Sequence, residues 1–124
     1  MAGRLSEASE LRFQGEQTMV DGKLEEATRQ LAKAVQLDPG DAYGHVLYAR
    51  VLTKSFYANK GPVDEDLLKR CISEWKLIWH HDADAGEQSE AKWQVWRLYR
   101  LSRALDKRKR QESKALLAEQ KGKR

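Results

Sequence analysis

ASELRFQGEQTMVDGKLEEATRQLAKAVQLDPGD, residues 8–41, decides the fold. Leu24, Ala27, Leu31, Ala34, Val35 and Leu37 recur mostly three or four apart, which places them on one broad helical face. Asp21 is a candidate N-cap for that helix, and Gly22 eases the turn before it. Asp38-Pro39-Gly40-Asp41 ends it. Pro39 holds Asp38 extended, Gly40 accommodates the reversal, and Asp41 is placed to cap the next helix. Upstream, Leu5, Ala8, Leu11, Gly15, Thr18 and Met19 form a second, weaker stripe. A connection this short makes the two helices antiparallel. Gly15 and Ala27 then stand where two backbones come close.

These residues resemble the tetratricopeptide repeat, a helical hairpin with a period of about 34 residues. Ala8 opens the repeat, Leu11 takes the early aliphatic slot and Gly15 the central small slot. In the second helix Ala27 takes the small slot, Leu31 the bulky one, Ala34 the next small one, and Pro39 the terminal proline. Gln14 and Thr18 depart from the pattern, standing where an apolar residue and an aromatic are usual. The resemblance implies an all-α fold of antiparallel helical hairpins, about five helices in a right-handed superhelical stack.

The rest of the chain follows that register loosely. A third helix runs from Ala42 to about Tyr57, with Tyr48 and Ala49 on central slots. Ala58-Asn59-Lys60-Gly61-Pro62 is a turn signal, and a fourth helix starts at Asp64, where Val63 and Leu68 are placed to form a hydrophobic staple. This second unit, 42–83, is a degenerate repeat with a longer internal loop and no closing proline. His80–Gly86, HHDADAG, is a polar connector. A fifth helix over 87–105 has Ala91, Val95, Leu98, Leu101 and Leu105 as its core stripe. Arg97, Arg100 and Arg103 give it the polar outer face that a capping helix requires. Trp75 and Trp79, and Trp93 with Trp96, are expected in core and hinge packing, and any one exposed becomes a candidate hot spot.

Residues 106–124 hold eight Lys or Arg against three acids, a net of +5, so residues 1–105 come to −1. The basic balance therefore belongs to a C-terminal tail or helix extension. A single cysteine, Cys71, rules out an internal disulfide and reads as a small buried residue. No apolar run approaches the length of a membrane span, and a cytoplasmic location is the expectation. No nucleophile stands beside a base, and no glycine-rich phosphate loop is present. The HHDAD segment gathers potential ligands, but adjacent imidazoles suit one metal poorly. No enzyme activity, cofactor or metal is expected.

In proteins with this repeat, the first helices of successive units line a concave groove. The resemblance places Arg12, Glu16 and Met19 of the first helix there, beside Ser9, and Tyr43, Leu47 and Arg50 of the third, beside Val46. Relatives that clamp a terminal carboxylate use lysine and asparagine at set positions. Arg12 falls on a lysine slot, but Glu16 and Leu47 fall on asparagine slots, so an extended peptide or a helix suits this groove better. The expected role is a non-catalytic adaptor or scaffold for a protein partner, with a homo-oligomer as one way to complete a short array. The alternative is a nucleic-acid-associated protein that uses Lys107, Arg108, Lys109 and Arg110 as its electrostatic contact.

Overall fold

A computed structural model describes residues 2–81 and 84–123. Five helices follow in order: α1 (Ala2–Val20), α2 (Leu24–Leu37), α3 (Ala42–Ala58), α4 (Glu65–His80) and α5 (Ala85–Gly122). Among the described residues there is no strand. Each helix packs against the next, and α1 also touches α3, which gives a stack of helical hairpins.

The turns follow from a few residues. Asp21-Gly22 closes α1 and does not open α2. The Gly22 N–H donates to the Met19 carbonyl at 3.0 Å and the Lys23 N–H to that of Thr18 at 3.1 Å. With φ of +82° at Gly22, this is a Schellman ending, a conformation that a side chain resists. Asp21 does not act as the expected N-cap, because α2 begins only at Leu24, with Lys23 at the capping position and no side-chain cap. Asp41 does precede α3, yet its carboxylate caps nothing and is drawn away to Arg12. Asp64 and Asp84 are true caps, accepting from the Leu67 N–H at 3.0 Å and the Glu87 N–H at 2.7 Å. Val63 stays exposed while Leu68 is buried.

The core runs along α3 and α4. Trp75 is 0% exposed. Its indole N–H donates to Thr53 Oγ1 at 2.8 Å, and that hydroxyl donates to the Ala49 carbonyl at 2.8 Å. Two buried polar groups thereby satisfy each other inside apolar packing. Cys71 lies beside them, and burial pushes its thiol up to about 11, so it is a packing residue and not a nucleophile.

α5 is one continuous helix of 38 residues. Ala91, Val95 and Leu98 are buried against the core, with Leu101 and Leu105 partly so. From Asp106 onward every described side chain is exposed. The segment that the sequence leaves open between tail and extension is therefore a helical extension. Lys109 Nζ, 2.6 Å from Glu65 Oε2, ties it to the start of α4. Among the described residues no helix is long and apolar enough to cross a membrane.

Candidate functional site

Side chains of α1, α3 and α5 meet along one face. At its first station, Arg12 Nη1 lies 2.7 Å from Asp41 Oδ2, and its guanidinium sits 5.6 Å from the centre of the Tyr43 ring. The Tyr43 hydroxyl donates to Glu16. That hydrogen bond, with partial burial, holds the phenol pKa above its ordinary value. At the second station, Arg50 of α3 grips Glu90 of α5 with two bonds, Nε to Oε2 at 2.9 Å and Nη2 to Oε1 at 2.7 Å. This fork is the strongest geometry available to such a pair. At the third, the Arg97 guanidinium lies between two rings, 4.5 Å from that of Tyr57 and 4.6 Å from that of Trp93.

Tyr43, Arg50 and Tyr57 are seven residues apart, which is close to two full helical turns. They form a line on α3, much of whose remaining surface is covered by its neighbours. Between this line and α5 lies an open hollow of about 520 Å³, lined by Arg50, Thr53, Lys54, Tyr57, Glu90 and Arg97. Arg12, Glu16, Arg50, Glu90 and Arg97 all have intramolecular partners on this face, so it presents mostly positioned dipoles and rings.

The structure therefore brings together Arg12, Glu16, Tyr43 and Arg50. It removes Met19 and Leu47 from the face. Leu47 is 1% exposed and Met19 9%, and Val46 is also buried. All three belong to the apolar core: Val46 and Leu47 because α3 packs on both α2 and α4, and Met19 because α1 packs on α2 and touches α3. With Leu47 buried and Arg12 paired to Asp41, no carboxylate clamp is assembled.

The tryptophans also divide differently from expectation. Only Trp75 is core. Trp79 is 36% exposed, Trp93 54% and Trp96 59%, so these three do not serve core packing. They border an almost wholly apolar hollow of about 430 Å³ with Lys92, Val95 and Tyr99. The Arg100 guanidinium lies 4.7 Å from the Trp96 ring, and Lys76 Nζ 5.8 Å from that of Tyr99. The outer face of α5 is thus a cation–aromatic surface, not the purely polar one its arginines suggest.

Within the connector, His80 stacks on Trp79, the His81 carbonyl accepts from Gln88 Nε2 at 3.2 Å, and Asp84 caps α5. Asp82 lies outside the described residues. Of the basic run, Lys109 is paired with Glu65 and Arg108 lies 3.5 Å from Glu112. Lys107 and Arg110 are exposed.

Asp41, Tyr57, Glu90 and Arg97 are members of the shared face that sequence reasoning missed. The spacing of seven from Tyr43 through Arg50 could have found Tyr57. Glu90 lies forty residues from its partner and carries no local signal. No family model, curated protein or solved structure matches this chain.

Proposed function

We propose that the chain is a non-catalytic protein-interaction module, an adaptor or scaffold of tetratricopeptide-like type. A peptide or helix of a partner protein would lie across the face shared by α1, α3 and α5. One observation carries this reading: three helices that are not consecutive contribute paired charges and aromatic rings to one continuous face. Groups already held in place lose little freedom when a partner docks. Rings of Tyr43, Tyr57 and Trp93 supply anchors of the kind that carry interface energy. The resemblance of residues 8–41 to the repeat supports the same placement. A cytoplasmic location accords with the single buried thiol of Cys71.

The test is quantitative affinity capture, with the full chain, Tyr43→Ala, Arg50→Glu and a 1–105 truncation as parallel baits. A protein recovered stoichiometrically by the full chain and the truncation, and lost with both point variants, supports the reading. Circular dichroism confirms that the variants are folded. If every recovered protein is indifferent to both point variants, this face is not the docking surface.

A further inference from the structure

Along α5 the charges are sorted by side. At 3.6 residues per turn, Lys92, Arg103, Lys107, Arg110, Lys114 and Lys121 fall within an arc of about 60°. All five carboxylates of the helix, Glu87, Glu90, Asp106, Glu112 and Glu119, fall outside that arc. The cations off the strip are placed differently: Arg97 and Arg100 lie against aromatic rings, while Arg108 is paired with Glu112, Lys109 with Glu65 and, just past the helix end, Lys123 with Glu119. Among the described residues none of the six strip cations makes an ion pair, and all six are exposed.

The helix dipole favours cations near a C-terminus but is indifferent to which side they occupy. Solubility would be served by mixing signs. Instead Arg103, Lys107, Arg110 and Lys114 follow one another at spacings of three and four, where like charges repel and weaken the helix. The arrangement is unfavourable alone and favourable against a line of negative charge.

We propose that this strip binds the phosphate backbone of a single-stranded nucleic acid. It extends about 44 Å, from Lys92 to Lys121. Four of the six cations are lysines, a residue depleted in protein interfaces but well suited to phosphate as a point charge. Beyond Leu105 the exposed helix offers only Leu116 and Leu117 as large apolar groups, too little for a helix lying in a membrane surface. At the other end Trp96 falls inside the arc and Tyr99 at its edge. Their exposed rings border the apolar hollow beside Lys92. That shelf takes unstacked bases, which a duplex does not present, and base–aromatic stacking is the recurring device of single-strand binders.

The full chain is titrated by fluorescence anisotropy against a labelled 20-nucleotide oligouridine, a duplex of equal length and vesicles containing phosphatidylserine. Six phosphate contacts predict a log–log salt slope of about −4 on the single strand, a loss of about 300-fold between 50 and 200 mM salt. Lys107→Gln/Arg110→Gln/Lys114→Gln should reduce that slope to about −2 and weaken binding by about tenfold or more at 100 mM salt. Arg108→Gln/Lys109→Gln/Lys123→Gln changes net charge equally from the other side and should leave affinity within about threefold. Trp96→Ala should weaken the single strand by about fivefold or more and spare the duplex. Equal losses in the two triple variants would mean that only net charge matters and would overturn the proposal. It would also fall if the oligonucleotide went unbound at 50 mM salt, if vesicles bound more tightly, or if Trp96→Ala had no effect.

Discussion

Gly15 of α1 and Leu31 of α2 occupy one space: a β-carbon on Gly15 would stand 2.6 Å from both Cγ and Cδ2 of Leu31. No methyl group fits at that distance, and Leu31 is fully buried with nowhere to retreat. In an exposed helix Gly→Ala gains up to about 1 kcal/mol. Here overpacking of about 1–3 kcal/mol outweighs that gain. Gly15→Ala should therefore lower stability in urea unfolding, and Leu31→Ala should lower it by about 2–5 kcal/mol. The double variant should lose less than the sum, because each change makes room for the other.

Thr53 and Trp75 form the second such relationship. Thr53→Val keeps the shape but leaves the Trp75 indole N–H buried without its acceptor. A loss of about 1–3 kcal/mol is expected in chemical denaturation. In a Trp75→Phe background the same substitution should cost markedly less, since no donor remains to be stranded.

His45 links three elements. Its Nε2 lies 2.8 Å from the Pro39 carbonyl at the α2–α3 turn, and Nδ1 is 3.7 Å from Glu74 Oε2 on α4. The interaction with Glu74, opposed by burial and aided by Pro39 and the nearby Asp41, holds the imidazole above its ordinary 6.5. A raised folded pKa means that the charged form is stabilised by folding. That stability is fully present below the unfolded value and is lost as pH rises through the folded one. Thermal midpoints should therefore fall as pH rises from about 6.5 through the raised folded value, and His45→Gln should flatten that part of the profile.

Residues 106–123 bury nothing, so removing them should leave the body intact. A chain ending at Leu105 should keep its thermal midpoint within about 2 °C, since surface pairs such as Lys109–Glu65 contribute little. Far-UV circular dichroism should lose helical signal in proportion. A fall of many degrees would show instead that the extension supports the hairpins.

Much of the fold was legible because it rests on local pattern. The apolar stripes of α2, α4 and the first half of α5 select the core residues, and Gly15 with Ala27 announces the close approach. The candidate face was half legible. Tyr43 and Arg50 follow from the repeat register, but that register assumes a first helix open on its groove side. Leu47 on α3 and Met19 on α1 are core and not groove, because the packing of neighbouring helices on each is not written in its own sequence. Asp21 and Asp41 show a subtler limit. Both have a capping residue's identity, but the first is overtaken by the glycine that closes α1 and the second is captured by Arg12. The exposure of Trp93 and Trp96 was hidden because size and hydrophobicity speak for burial, and only the helical phase set by Ala91, Val95 and Leu98 turns them outward.

That phase has a consequence for the molecule as an object. α5 passes from the folded body into its exposed half without a proline, a glycine or a break near residue 105. The two halves are therefore geared together, and the direction in which the outer half faces is set by counting residues. A single residue inserted after Leu105 would rotate everything beyond it by about 100° relative to Trp96 and Tyr99, while seven would bring it nearly back into line. Length changes in this helix are thus read as rotation before they are read as distance.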